Sequence, residues 1–337
     1  MKRNISHSEI SMMQDCQARH AFAYTGQLTG GQALQPKDTP ILLREGKIWG
    51  LAVATLHVEG YEAAFSALDD GLEVDAREQE EHGLYDHDVY EATRDKLLTI
   101  LEQYAEEAEV LEGSRDPERE LLVPLPSRSG KGVSNRYQLH AFFDLIYPDP
   151  AGRIFLVEFK LRKTLSSFEQ VANNRQIRRY AWAYRQETGE DVAGVILDER
   201  LNAVPKPPRV LKSGKVSEAK DQLTTGALYA AACEEAGQEV NSEVVEALDA
   251  REWQKRYTVF LTDREIEEAG KELVSLGQQV QALDSGQMYP TRNVKPQLCN
   301  GCRFREICNH PEDVDVVNAL FNRVPAKRDL PPLEVAA

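Results

Sequence analysis

The chain has 337 residues and a formal net charge of −15 at pH 7, a balance that argues against nucleic acid as a partner. Its first residues are charged and polar, so we expect no secretory signal peptide, and no apolar stretch is long enough to span a bilayer. The expected location is therefore cytoplasmic, where thiols stay reduced.

The N-terminal part of the chain, residues 1–115, is expected to be mainly helical. The segment Ser6–Glu9 has the form of a capping box and predicts a helix that runs to about Tyr24, with Cys16 inside it. Further along, the pattern predicts a loop and then two helices, over residues 25–40, 42–69 and 90–111.

Residues 116–200 change to a strand-rich pattern. The expected elements are three strands, a long helix and a buried strand, over residues 120–125, 136–147, 153–161, 167–188 and 192–197. Proline and glycine at 148–152 supply the turn between the second and third strands. This order predicts an α/β fold in which a central mixed β-sheet is flanked by helices.

Residues 201–220 form a basic, proline-containing insertion, and residues 221–310 carry the last helices, the last strand and a group of cysteines. The expected elements are two helices, a strand and a helix opened by a capping box, over residues 221–237, 242–253, 256–261 and 262–283. We expect one domain over residues 1–320, followed by a tail over 321–337.

Three of the five cysteines, Cys299, Cys302 and Cys308, have the close spacing of ligands that fold around one metal centre. Cys16 would complete a set of four. Thiolates select zinc or an iron–sulfur cluster, and the spacing leaves both open. A set of four leaves no position for water, so the metal would be structural and would join the two ends of the chain. Cys233 is interpreted as a small apolar residue.

A second candidate site combines two carboxylates with a lysine. Side chains two apart on a strand share a face, so Glu158 and Lys160 point one way while Phe159 points into the core. A turn centred near Pro150 would place Asp144 opposite Leu156 and diagonal to Glu158. Two carboxylates so close require a cation such as Mg²⁺ or Mn²⁺, beside which Lys160 would orient or deprotonate a water.

The long helix that follows carries a further pair of polar residues. Gln176 and Tyr180 are four residues apart and share one helical face. Three arginines around them would suit a phosphate, namely Arg175, Arg178 and Arg179.

The basic insertion has two open interpretations. A basic face can hold a phosphate backbone even on an acidic protein, in which case Lys212 and Lys215 would lie near DNA. The alternative is a solvated surface loop. Acidic residues crowd into 69–120 instead, which is a candidate docking face for a protein.

Taken together and in order, these motifs resemble the PD-(D/E)XK nuclease superfamily, whose core is like that of restriction endonucleases. They are particularly similar to RecB/AddB-like exonuclease domains with an iron–sulfur cluster, and among these to the CRISPR-associated Cas-four nucleases and phage-encoded exonucleases. The blocks that carry the resemblance are an N-terminal helix, a catalytic hairpin, a Gln/Tyr motif and the closing cysteines, at residues 8–24, 139–160, 176–180 and 299–308.

The resemblance implies a metal-dependent DNA exonuclease of recombination, repair or phage DNA processing. It implies that Asp144, Glu158 and the carbonyl of Phe159 ligate Mg²⁺ or Mn²⁺, and that Lys160 assists the attacking water. Gln176 and Tyr180 would position DNA. The four cysteines would hold a structural 4Fe–4S cluster.

The sequence departs from the family at several positions. Gly50 stands where the family often has a histidine that ligates the metal, and His57, two turns further on, is expected to have a core or surface role. Ala141 and Gln17 replace a usual glycine and a usual proline. The missing histidine motivates an alternative, a catalytically weak DNA-binding subunit that recruits a helicase, recombinase or integrase.

Overall fold

The computed structural model describes residues 2–127 and 132–327. The strands in these ranges are β1 Arg3–Ser6, β2 Gln32–Pro36, β3 Arg119–Pro126, β4 Val133–Phe143, β5 Leu145–Pro148, β6 Ile154–Arg162, β7 Val192–Leu201, β8 Gln254–Phe260 and β9 Phe321–Pro325. The α-helices are α1 His7–Asp15, α2 Gln17–His20, α3 Ile41–Glu59, α4 Tyr61–Glu81, α5 His87–Glu107, α6 Phe168–Ala172, α7 Arg175–Thr188, α8 Gly226–Glu235, α9 Ser242–Asp249, α10 Asp263–Asp284, α11 Pro296–Cys299 and α12 Val314–Leu320, and a π-helix, Ala21–Thr25, directly follows α2. In the described ranges, no helix is long and apolar enough to cross a membrane.

The strands form three hydrogen-bonded sheets rather than one central sheet. One has the order β1-β4-β3, with β1 parallel and β3 antiparallel to β4. The second has the order β5-β6-β7-β8, in which only β6 and β7 are parallel. The third pairs β2 with β9. The expected α/β class with mixed sheets and helices is confirmed, but the expected strand over 136–147 is divided between two sheets at Asp144.

The register of the β5–β6 hairpin differs from the expected one by two residues. Leu156 pairs with Ile146, not with Asp144. The reason is the turn, where the Asp149 carboxylate accepts hydrogen bonds from the amides of Ala151 and Arg153. These bonds centre the turn one residue later than Pro150 was expected to. A shift of two residues leaves each side chain on the same face of the sheet. Asp144 therefore stays on the face of Glu158, and this register places it directly opposite Glu158 rather than diagonal to it.

Several expected elements are interrupted by local caps. The predicted N-terminal helix breaks at Cys16, whose backbone is extended, so this cysteine lies between α1 and α2 rather than inside a helix. The predicted helix over 42–69 divides at Gly60, which has a φ of +94°. The long helix over 167–188 divides before Asn174, whose side chain caps α7. The capping box from Thr262 to Glu265 is present as expected and opens α10.

Strand β6 separates two hydrophobic clusters. Phe155, Val157 and Phe159 pack against α3, α4 and α5, whereas Leu156 packs on the other side with α7 and α10. Phe159 therefore points into the core, as the alternation of the strand predicts. Glu158 and Lys160 are left on the face of α7. His57 is a core residue, stacked on Phe159 with ring centroids 5.2 Å apart.

The basic insertion packs on a small helical unit. Its described backbone holds one isolated bridge, between Val210 and Val216. Val216 belongs to a small cluster with residues of α8 and α9, including Tyr229 and Cys233. Cys233 is completely buried, which confirms its interpretation as a small apolar residue.

The two ends of the chain are joined by direct contacts. Strand β2 pairs with β9 along its length, from Gln32 opposite Pro325 to Pro36 opposite Phe321. Beneath this sheet, Phe22 stacks on Phe304 with centroids 5.5 Å apart. These contacts join the two ends of the chain through backbone pairing and side-chain packing.

A buried ion-pair network anchors the first helix. The Glu9 carboxylate is fully buried and contacts Arg3 at 2.5 Å, His20 at 3.1 Å and Lys327 at 2.8 Å. Arg3 also pairs with Asp284 of α10 at 2.9 Å. Burial by itself would raise the pKa of Glu9, but Arg3, His20 and Lys327 outweigh it and lower that pKa to about 2. The network therefore favours folding wherever Glu9 is ionised.

We expect Glu9→Gln to reduce the free energy of unfolding by about 3 kcal/mol at neutral pH, because it leaves buried cations unpaired. Since the pKa of Glu9 falls from 4.5 to about 2 on folding, the difference from wild type should shrink as pH drops through that interval. Denaturant unfolding at several pH values measures it. Exposed Glu267→Gln is the control, and equal stabilities of the Glu9 variant and wild type at neutral pH would contradict the expectation.

Candidate functional site

Asp144, Glu158 and Lys160 meet where β4 gives way to β5. The amide of Phe159 donates a hydrogen bond to Asp144 Oδ2 at 2.6 Å. The Lys160 ammonium lies 2.5 Å from Glu158 Oε2, so these two side chains share a face as expected. Glu158 is 3% exposed, which means that its carboxylate depends on the protein for compensation of its charge.

The electrostatics of this group favour a proton or a cation. Burial raises the pKa of Glu158 to about 7, and Asp144 and Glu118 add to the effect, although Lys160 opposes it. Burial also raises the pKa of Asp144. Burial lowers the pKa of Lys160, but the two carboxylates outweigh it and leave that pKa above its usual value. The ammonium is therefore held in its charged form.

The carboxylates of Asp144 and Glu158 are oxygen donors whose negative charge the protein compensates only in part. Such a pair suits a hard divalent cation. In the part of the chain that the structure describes, no three His, Cys, Asp or Glu side chains stand together as a formed metal site. Glu158 is engaged by Lys160 instead. A cation at Asp144 and Glu158 would thus compete with this ammonium.

The helix α7 brings Gln176 and Tyr180 to the same place. Gln176 Nε2 lies 3.4 Å from Glu158 Oε2 and donates a long hydrogen bond to it. Tyr180 is buried and packs edge-on against Phe143, with centroids 5.3 Å apart. Burial and the charge of Glu158 raise the pKa of Tyr180, so its hydroxyl stays protonated and can donate a hydrogen bond.

Two residues near the site were missed by sequence reasoning. His7 contacts Tyr180 edge-on at a centroid distance of 6.2 Å, and its pKa is lowered to about 4 by burial, Arg179 and Lys160. Glu118 donates its backbone amide to the carbonyl of Asp144 at 3.1 Å. The capping sequence around His7 signals only a helix start, and no pattern marks Glu118.

The three arginines that were expected to contact DNA have different surroundings. Arg175 is exposed, and no ion pair involves it within the described ranges. Arg178 pairs with Glu265 at 3.2 Å. Arg179 is fully buried and donates to His7 and Gln14, so the expectation that it reaches DNA is corrected. On α7 it faces α1, which carries both His7 and Gln14.

The two lysines of the insertion are exposed. They lie in a turn in which the amide of Leu211 donates to the carbonyl of Lys215 at 2.8 Å. Neither Lys212 nor Lys215 has an ion-pair partner among the residues that the structure describes, so both charges are available to a ligand.

The four cysteines line one cavity. Cys16 comes from the break between the first two helices, and Cys299, Cys302 and Cys308 come from the C-terminal segment. Burial raises the pKa of the Cys302 thiol, and the neighbouring Cys16 and Cys308 raise it further. Arg292 holds this arrangement by donating to the carbonyl of Cys308 at 2.8 Å.

Comparison with known proteins identifies the family. A model of the PD-(D/E)XK nuclease superfamily matches residues 4–309. Among solved structures, a candidate exonuclease from Eubacterium rectale is similar at 12% identity and a TM-score of 0.47, over 89% of this chain and 87% of that one. The crystal structure of a second protein, SSO0001, is similar at 11% identity and a TM-score of 0.30, over 78% of this chain and 84% of that one. Among curated proteins, none matches the sequence.

The raised pKa of Glu158 predicts how metal-free protein responds to pH. A folded-state pKa of about 7 against 4.5 means that ionisation of this carboxyl opposes folding as pH rises through this interval. We expect Glu158→Gln to flatten the resulting fall in melting temperature. Added Mn²⁺ should stabilise wild type increasingly over the same interval. Exposed Glu187→Gln is the control, and parallel pH profiles of wild type and Glu158→Gln would refute the expectation.

Proposed function

The chain belongs to the PD-(D/E)XK nuclease superfamily, and from that membership we propose that it is a metal-dependent exonuclease that hydrolyses phosphodiester bonds at DNA ends. The observation that carries the proposal is the contact of Lys160 with Glu158 on the face shared with Asp144. Recombination, repair or phage DNA processing would be the setting, as the resemblance to RecB/AddB-like nucleases suggests.

The chain's own residues would divide the work as follows. Asp144, Glu158 and the carbonyl of Phe159 would hold Mg²⁺ or Mn²⁺, which supplies Lewis-acid activation of water and charge stabilisation when bound. Lys160 stays protonated, so it would orient the water and stabilise developing negative charge rather than remove a proton. Gln176 would hold Glu158 in place through its hydrogen bond. The protonated hydroxyl of Tyr180 would donate to the DNA backbone.

DNA would approach along the exposed basic groups. Arg175 begins α7, the helix that carries Gln176, and its charge has no carboxylate partner in the described ranges. Lys212 and Lys215 add an exposed pair on the insertion, which follows β7 where that strand runs beside the end of β6. These residues would supply the phosphate contacts that make binding depend on salt.

We expect Lys160→Ala to reduce cleavage of end-labelled DNA in Mg²⁺ or Mn²⁺ by at least about a hundredfold, because it removes the ammonium beside the reacting group. Exposed Lys163→Ala is the matched control and should cut like wild type. Loss of label from one end in wild type would also reveal the polarity. Full cleavage by Lys160→Ala would disprove the assignment.

The same assay separates a second candidate function, a catalytically weak DNA-binding subunit that recruits a helicase, recombinase or integrase. Gly50, in place of a histidine, motivates this alternative, as do the acidic helices α4 and α5 as a docking face. Binding of DNA by wild type without cleavage in either metal would favour it.

We also propose that the four cysteines hold a structural 4Fe–4S cluster. Their convergence on one cavity from both ends of the chain supports this, because thiolates are the usual ligands of such clusters. Zinc fits the same donor set. In either case the metal would reinforce an end-to-end closure that β2 and β9 already make.

Anaerobically purified protein should contain iron and sulfide and absorb visible light through sulfide-to-iron charge transfer. We expect Cys302→Ser to lose both iron and colour and to melt at a lower temperature. Cys233 does not line the cavity, so the control variant Cys233→Ala should keep both the iron and the colour. A colourless wild type with stoichiometric zinc would exclude the cluster.

A further inference from the structure

We propose that Glu118 supplies a third carboxylate to the metal site, beside Asp144 and against the bare backbone of Gly50. This inference rests on the proposed function. It assigns a ligand role to a residue that the motifs of the sequence do not mark.

Gly50 lies in α3, directly against the site. A Cβ atom at this position would be 3.7 Å from Asp144 Oδ1 and 3.7 Å from Glu118 Oε1. The two carboxylate oxygens therefore flank the same bare stretch of helix. Those distances are ordinary van der Waals contacts, so a Cβ atom at position 50 would touch both carboxylates, whereas the bare backbone of Gly50 leaves both oxygens uncovered on this side.

The two oxygens of Asp144 have different roles. Oδ2 accepts the hydrogen bond from the amide of Phe159. Oδ1 is the oxygen nearest the Cβ position of Gly50. A cation bound through Oδ1 would leave the hydrogen bond that positions Asp144 intact, and Glu118 Oε1 lies at the same 3.7 Å distance from that Cβ position.

The backbone holds Glu118 at the site. Its amide donates to the carbonyl of Asp144 at 3.1 Å, and two bonds between Arg115 and Ile146 fix the start of the turn to β5. Asp116 and Glu118 both have a φ of 53°, a left-handed conformation that costs free energy for residues other than glycine. The segment from Arg115 to Glu118 is thus hydrogen-bonded at both of its ends to the backbone around Asp144.

The side chain of Glu118 also faces a route from solvent. It lines a groove along α3 and α4 together with Lys47. Within the described ranges, Glu118 has neither an ion-pair nor a hydrogen-bond partner for its carboxylate. A divalent cation that enters by this groove would therefore meet a free carboxylate beside Asp144. Since Glu118, Asp144 and Glu158 do not stand together as a formed site in the described ranges, binding would draw the exposed Glu118 side chain towards the other two, and three carboxylates would then share the charge.

The position of Gly50 gives the inference a complementary test. A histidine introduced at position 50 would branch from a point 3.7 Å from Asp144 Oδ1 and would offer an imidazole nitrogen to the same cation. If Glu118 is a ligand of that cation, this histidine should make Glu118 dispensable. A Cβ atom at position 50 would make only ordinary van der Waals contacts, so the backbone there tolerates a side chain.

The experiment is calorimetric titration of Mn²⁺ into the full-length protein, with DNA cleavage measured in parallel. We expect Glu118→Gln to weaken Mn²⁺ binding at least about tenfold. Glu112→Gln, an exposed residue of the same loop, is the matched control and should bind like wild type. Gly50→His combined with Glu118→Gln should recover most of the affinity, whereas Gly50→Ala combined with Glu118→Gln should not.

Unchanged Mn²⁺ affinity in Glu118→Gln, or a wild type that binds no Mn²⁺, would overturn the role of Glu118. A different outcome would contradict only the proposed nuclease function. In that case wild type would bind Mn²⁺ with an affinity that depends on Glu118 but would not cut DNA. Lys160→Ala distinguishes the two further, since it should bind Mn²⁺ and still lack cleavage.

Discussion

The hydrogen bond from the amide of Phe159 to the carboxylate of Asp144 is the constraint on which the site depends. In a continued antiparallel ladder this amide would bond to the backbone of β4. The Asp144 side chain takes it instead, so the ladder ends and the chain passes from one sheet to the next. The same bond orients Asp144 towards Glu158, and the carbonyl of Asp144 accepts the amide of Glu118. One residue thereby divides the sheets and gathers the acidic groups.

Strand β6 places Glu158 and Lys160 beside Asp144. Its odd-numbered apolar residues pack on α3, α4 and α5, and the polar Glu158 and Lys160 are forced onto the opposite face. Burial of a carboxylate is costly without compensation, and here Lys160 and Gln176 provide it. The candidate site combines β6, α7 and Asp144 at the junction of β4 and β5, and side chains on such elements are held in the fixed geometry that phosphoryl chemistry requires.

Several separate contacts join the N-terminal and C-terminal segments of the chain. Strands β2 and β9, the stacked rings of Phe22 and Phe304, and the network around Glu9 all join N-terminal to C-terminal segments. The cysteine cavity lies within this region. A metal bound there would add a further link between ends that these contacts already join.

The sequence by itself determined what depends on short-range periodicity. The shared face of Glu158 and Lys160, the core position of Phe159 and the capping box at Thr262 all follow from neighbours a few residues apart. Tertiary structure alone decided the division of the strand between two sheets at Asp144, the burial of Arg179 and the approach of Glu118 to Gly50. These depend on hydrogen bonds and packing between distant segments, and no local pattern encodes such contacts.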